Sequence, residues 1–217
     1  EAHKRDARVA YEGTKGYQPL VAVWAEQDLI VGDEFRDGNV PGNKDPLTSV
    51  RRAFAALPAW VERRCFRGDS ADYYEPLLKY LVQEQILFSI SADMSPELRA
   101  HCEAIPAAQW VELAVRERET VHVAEVEFTP GDWPKMAAPL RYVGLRITPR
   151  QADLLGERGL RYLAVVTNRP APADPARPCA DAMSAAELVQ WHWEKAGTIE
   201  HVHRSMKDEL GAGVLPS

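Results

Sequence analysis

The chain has 217 residues, 46% of them hydrophobic and 27% charged, which is enough for a full domain with a sizeable core. A net charge of -6 excludes a uniformly basic nucleic-acid binder but leaves room for a local basic face. No apolar run approaches the roughly eighteen residues of a membrane span, and Cys65, Cys102 and Cys179 form no CxxC pair, so neither a disulfide framework nor a structural zinc site is indicated.

The start, Glu1-Ala2-His3-Lys4-Arg5-Asp6, has no apolar signal region and no initiator Met, so the chain reads as cytoplasmic and amino-terminally incomplete. Residues 1–15 read as a loop or extended arm carrying Lys4, Arg5, Arg8 and Lys15. Two strands follow, over 18–25 and 28–35, separated by a short polar turn and forming a hairpin. The turn-rich Arg36-Asp37-Gly38-Asn39-Val40-Pro41-Gly42 leads to a helix over 47–60, from which Arg51 and Arg52 project. A short strand over 63–66 runs into Arg67-Gly68-Asp69-Ser70, then a helix over 73–82 that Pro76 enters at its first turn. A strand over 85–92 and a helix over 95–104, opened by the Ser95-Pro96-Glu97 cap signal, complete a strand–helix–strand–helix order that predicts an α/β layer architecture.

After Pro106 the texture changes. β-type runs at 110–115, 121–128, 140–147 and 160–166, with no strong helix between them, predict a β-rich insertion over 106–170. Residues 171–183 are a Pro/Ala-rich linker, and Ser184-Ala185-Ala186-Glu187 has the capping-box spacing that begins a terminal helical region over 184–217. Gly197 is a place for that region to break or bend. Within it Ile199, Val202, Met206 and Leu210 recur on one helical face, while Glu200, Arg204 and Lys207 share a neighbouring one.

Asp69, immediately after a strand, sits where open α/β sheets place functional groups; the alternative is a plain Gly-Asp turn. Glu200 is a second carboxylate, and two such groups suit hard divalent cations of the kind that promote in-line phosphoryl transfer. His192, His201 and His203 invite a zinc reading, but His201 and His203 lie about 200° apart on a helix and cannot face one ion together. Cys65, beside Arg63, Arg64 and Arg67, reads as a strand residue facing the core. Trp191 and Trp193 read as core or as stacking platforms for bases.

Three passages carry a resemblance. Tyr11-Glu12-Gly13-Thr14-Lys15-Gly16-Tyr17-Gln18-Pro19-Leu20, Arg67-Gly68-Asp69-Ser70-Ala71, and Ile199-Glu200 with Lys207 resemble the bacterial insertion-sequence transposases of the DDE class. The first looks like the family's entry to its second strand, the next like the strand ending in the second catalytic Asp, and the last like the helix bearing the catalytic Glu. Of the helix signature Y-x2-R-x3-E-x6-K, Glu200 and Lys207 fit, whereas Trp193 and Ala196 hold the Tyr and Arg places. The resemblance implies an RNase H-like mixed sheet flanked by helices, over 1–105 and 184–217, interrupted by a β insertion before the last catalytic helix. It places the family's first Asp on a strand upstream of Glu1, so the chain as it stands is expected to fold but not to cut DNA without that strand.

By the same resemblance the chain is a mobile-element transposase catalytic domain for DNA recombination. Asp69 and Glu200 are metal ligands for two Mg²⁺ (or Mn²⁺) ions and, with Lys207, catalytic residues. Arg204 and Lys207 hold phosphate, while Lys4, Arg5, Lys15, Arg51 and Arg52 read either as backbone contacts to double-stranded DNA, both element ends and target, or as charges that serve only solubility. The active complex is a homodimer, with no membrane partner. Two rival expectations stand beside this one: an RNase H-like nuclease that hydrolyses without strand transfer, and an inactive remnant that only binds DNA or a partner.

Overall fold

The computed structural model describes residues 8–9, 15–16, 19–41, 44–131, 140–150, 159–172 and 179–208, with side chains placed over 19–41, 44–131, 140–150, 159–172 and 179–197. It falls into two compact units, one of residues 1–63 with 193–217 and one of residues 64–192.

In the first unit the segment expected to be a loop or extended arm contains a two-residue ladder, β1 (Arg8–Val9) against β2 (Lys15–Gly16). The expected hairpin is β3 (Leu20–Trp24) and β4 (Leu29–Glu34), antiparallel with an irregularity at Ala22/Val23. Asp28, at φ 50°, makes the left-handed step between them, a conformation that Asp tolerates better than most residues. Helix α1 (Pro46–Ala55) starts on Asp45, whose carboxylate accepts the Thr48 N–H at 3.2 Å, with Pro46 at the first helical position, where a missing N–H costs nothing. Its buried Val50 and Ala53 face inward. A polar knot ties α1 to β4: Ser49 Oγ donates to Glu34 Oε2 at 2.6 Å, and Arg36 Nη2 donates to the same oxygen at 3.0 Å. Arg36 is buried, and its hydrogen bond to Glu34, ahead of that from Ser49, lowers the pKa of the Glu34 carboxyl.

The second unit is built on one six-stranded sheet. Its strands are β5 (Cys65–Gly68), β6 (Leu87–Ala92), β7 (Val111–Val115), β8 (Glu119–Val126), β9 (Arg141–Pro149) and β10 (Arg161–Thr167), in the order β5-β6-β10-β9-β8-β7. The β5–β6 pair is parallel and all the others are antiparallel. The strands expected as an insertion therefore share one ladder with β5 and β6: Thr167 pairs with Ser89 and Ala164 with Ala92. Asn168 extends that ladder by a residue, accepting the Phe88 N–H at 2.9 Å and donating to the Ile86 carbonyl at 2.8 Å.

Helix α2 (Glu75–Gln83) makes the crossover between the parallel strands, with Pro76 in its first turn as expected. Its Leu77, Leu78 and Leu81 are fully buried, each stabilising the unit by about 1.5–3 kcal/mol. Gln85, at φ 55°, redirects the chain into β6. Helix α3 (Pro96–Ala104) is capped by Ser95, whose Oγ accepts the Leu98 N–H at 3.1 Å. It sets Cys102 and Leu98 against the sheet face that carries Gly144. Residue 144 has to be Gly: a Cβ there would stand 2.9 Å from Val126 Cγ2 and 3.3 Å from both Cys102 Sγ and Trp110.

Helix α4 (Ala185–Asp208) opens on the predicted capping box, with Ser184 Oγ accepting the Glu187 N–H at 3.2 Å and Glu187 Oε2 accepting the Ser184 N–H at 2.8 Å. It runs unbroken through Gly197, where a bend was expected. One glycine costs a helix about 1 kcal/mol, too little to stop one of 24 residues. Its first half packs on the sheet through Leu188, Val189 and His192, all buried.

Candidate active site

The parallel β5–β6 pair carries both chains out of the sheet at the same end, and Asp69 is the first residue beyond β5. The two sequence readings of Gly68-Asp69 both describe it. As a turn, Asp69 caps the 3-10 helix Ser70–Asp72, its Oδ1 accepting the Ala71 N–H at 2.8 Å. As a candidate ligand, it is exposed, and its Oδ2 has no hydrogen-bond partner among the described residues. Gly68 is required because Asp72 folds back over it: a Cβ at 68 would meet Asp72 Oδ2 at 2.4 Å. Asp93 leaves β6 at the same end as Asp69 leaves β5. Burial raises its pKa.

One turn of α4 is fastened beside this strand end. Arg67 Nη1 donates to the Trp191 carbonyl at 2.8 Å, and its guanidinium carbon lies 5.4 Å from the Trp191 ring centroid. Arg169, 3% exposed, brings a second guanidinium to 4.3 Å from the same ring. Among the described residues the Arg169 guanidinium otherwise makes only long contacts, 3.4 Å to the Asp181 carbonyl and 3.4 Å to Cys65 Sγ, and its Nε is buried without a partner. His192 is fixed next to it: Nδ1 is hydrogen bonded to Ser89 Oγ at 2.9 Å and Nε2 to Ser91 Oγ at 3.0 Å. With both ring nitrogens occupied, His192 is placed as a helix anchor and not as the zinc ligand considered from sequence. Cys65 is exposed rather than core-facing, because β5 is the edge of the sheet among the described residues.

The remaining sequence candidates distribute as follows. Arg51 and Arg52 are exposed on α1 of the first unit. Lys15 is in β2, and Glu200, Arg204 and Lys207 are in α4, but their side chains lie outside the described residues, as do Lys4 and Arg5 entirely. Asp69 and Glu200 belong to different units. A carboxylate oxygen is the donor that Mg²⁺ prefers, and Asp69 offers one; among the described residues no group of three or more His, Cys, Asp or Glu is placed to hold a metal ion. None of the helices described is long and apolar enough to cross a membrane.

Sequence reasoning passed over Arg169, Asp93 and the Ser89/Ser91 pair. The serines had a signal: in Leu87-Phe88-Ser89-Ile90-Ser91-Ala92 two hydroxyls recur at the strand period on a run otherwise apolar, which marks a polar partner on that face. Arg169 had none, since its partners come from β5 and α4.

No curated protein matches the chain. A family model described as Transposase DDE domain group 1 matches residues 2–217, and the mixed sheet with its flanking helices is the RNase H-like α/β class that the resemblance implied. The chain belongs to the DDE transposase family.

Proposed function

We propose that the chain is the catalytic domain of an insertion-sequence transposase that cleaves phosphodiesters at the element ends and joins the freed 3′ ends to target DNA. The observation that carries this reading is Asp69, exposed at the carboxyl end of β5 with one oxygen fixed by its own turn and the other without a hydrogen-bond partner among the described residues, in a chain matched almost end to end by a DDE model. Asp69 and Glu200 would hold the divalent ions, Mg²⁺ or Mn²⁺. Such ions, when bound, polarise the phosphodiester and make water a nucleophile at neutral pH.

The chain's own groups then have separate tasks. The Ala71 N–H holds the Asp69 carboxylate in one rotamer, so less freedom is lost when its second oxygen takes a ligand. Arg204 and Lys207, about one and two turns beyond Glu200 on α4, would hold the scissile and neighbouring phosphates. Lys4, Arg5, Lys15, Arg51 and Arg52 would contact the backbone without reading sequence, and a homodimer would hold two ends together.

Two measurements test this. Mn²⁺ binding, followed by calorimetry and by paramagnetic broadening, should weaken at least tenfold in Asp69→Asn and in Glu200→Gln. Binding unchanged in both variants would remove the metal assignment. Incubation of labelled element-end duplex with Mg²⁺, a target plasmid and the chain lengthened upstream by the strand expected to carry the first Asp should give joined products. Nicked ends without joined products would establish a nuclease, and DNA binding without either would establish the remnant.

A further inference from the structure

Four arginines gather where β7, β8, β9 and β10 meet at one end of the sheet. The Arg116 N–H donates to the Glu119 carbonyl at 2.8 Å, closing the turn between β7 and β8, and the Arg150 N–H donates to the Arg118 carbonyl at 3.0 Å, tying the end of β9 to that turn. Arg150 Nη1 also donates to the Arg116 carbonyl at 3.2 Å. Glu119 holds two guanidiniums at once, Arg116 Nη1 at 3.0 Å and Arg161 Nη2 at 2.8 Å. The result is a groove of about 510 Å³ lined by Arg116, Arg118 and Arg161, with Ile147 and Pro149 beneath.

Stability does not account for this arrangement. Exposed ion pairs are worth at most about 1 kcal/mol each, and among the described residues the carboxylates lining the groove are those of Glu117 and Glu119, in a chain whose net charge is -6. A guanidinium has five N–H donors, so Arg161, whose side chain is 61% exposed, keeps donors for a second anion while it holds Glu119.

The register also relates the groove to Asp69. Gly68 pairs with Ile90, so Asp69 is level with Ser91, which pairs with Val165. Arg161 is four residues further in the direction in which β5 ends, on the second strand over. At about 4.8 Å between strands and 3.3 Å per residue, Arg161 stands roughly 16 Å from Asp69 at the same end of the sheet. That is about half the 34 Å turn of a DNA duplex.

We propose that this arginine groove is a contact surface for the phosphate backbone of double-stranded DNA, holding the duplex whose scissile region reaches Asp69. The inference rests on the reading of Asp69 as catalytic for its purpose, but the binding surface stands or falls separately.

The test is fluorescence anisotropy with a labelled mixed-sequence duplex across a salt series, using the 217-residue chain. The variants are R118Q/R150Q, which spares the Glu119 ion pairs, and the fourfold R116Q/R118Q/R150Q/R161Q. The slope of log K against log salt should flatten by about 0.9 for each phosphate no longer neutralised, with affinity falling at least tenfold in the fourfold variant and measurably in R118Q/R150Q. Far-UV circular dichroism and the melting temperature of each variant should match the parent's; binding lost only in variants that have also lost their fold shows that the network is structural, and the proposal fails. Unchanged slope and affinity in the fourfold variant also overturn it, as does preference for polyglutamate over duplex. Weakened binding in the arginine variants, with no Asp69-dependent cleavage by the chain lengthened upstream by the strand expected to carry the first Asp, would leave this surface standing and remove the catalytic reading. Asp69-dependent cleavage with undiminished binding by the arginine variants would do the reverse.

Discussion

Trp191→Ala is the perturbation with the most to reveal, because that ring is where β5, the segment after β10 and α4 meet. A fully buried Trp truncated to Ala costs about 3–5 kcal/mol. Trp191 is half-buried, which brings the packing part to about 2 kcal/mol. Two guanidiniums, at 4.3 Å and 5.4 Å from the ring centroid, add about 0.5–1 kcal/mol each. The sum is about 3 kcal/mol, or a fall in Tm of roughly 6–12 °C for a chain of this length. Arg169 makes the loss harder to absorb, since without the indole its buried guanidinium keeps, among the described residues, only two long contacts, to a carbonyl and a thiol. Thermal unfolding followed by far-UV circular dichroism measures the shift, with Trp191→Phe as the control that keeps a ring and should lose less than half as much. If Trp191→Ala melts within about 2 °C of the parent, the ring is not the fastening, and the Arg67 hydrogen bond to the residue 191 carbonyl with the buried Leu188, Val189 and His192 holds this part of α4.

Gly144→Ala should cost about 1–3 kcal/mol by overpacking against Val126, Cys102 and Trp110, and Val126→Ala in the same chain should recover part of it; additive losses in the double variant would show that the two sites do not touch. Ellman's reagent on the native chain should modify Cys65 and Cys179 promptly and Cys102 only on unfolding, since burial raises the Cys102 thiol to about 11; three thiols reacting together would mean that α3 does not cover the sheet. The Glu34 carboxyl, held low chiefly by Arg36, has a folded pKa below its unfolded one, so its stabilisation is present above the ordinary carboxylate range and is lost as pH falls through the folded value. Urea melts across about pH 6 to 2 should therefore show a shallower acid decline in Glu34→Gln than in the parent, and identical slopes would exclude the Arg36–Glu34 link as a source of acid lability.

What the sequence made legible is what neighbouring residues decide among themselves. Ser95-Pro96 and Ser184 with Glu187 mark the starts of α3 and α4 because a cap needs only three or four consecutive residues. The hairpin β3–β4 and the position of Asp69 just past a strand were readable for the same reason. The sheet order was not, since the pairing of β10 with β6 joins Thr167 to Ser89 across a stretch in which no local pattern names the partner. Cys65 shows the consequence. Composition placed it in a strand, correctly, but its exposure depends on β5 being the edge strand, which is a property of the sheet. Arg169 was invisible because its position depends on both β5 and α4, neither of which is near it in sequence.

The sheet also explains why chemistry collects at one end of it. Side chains in the middle of β6, β9 and β10 are occupied with packing, as the burial of Ile90, Val143 and Val165 shows; only where strands release the chain can polar groups be exposed and still be held in place. The one parallel pair sends Asp69 and Asp93 out at the same end. Because β10 runs antiparallel to β6, its first residue, Arg161, comes to that end too, and the β7–β8 turn and the end of β9 bring Arg116, Arg118 and Arg150 beside it. Carboxylates at the β5–β6 side and guanidiniums at the β7–β10 side thus lie along a single edge. An acidic chain can engage a polyanion only if its cations are gathered in one place and its carboxylates are neutralised where the phosphate must come close. Topology supplies the first condition here, and the divalent ions proposed at Asp69 would supply the second.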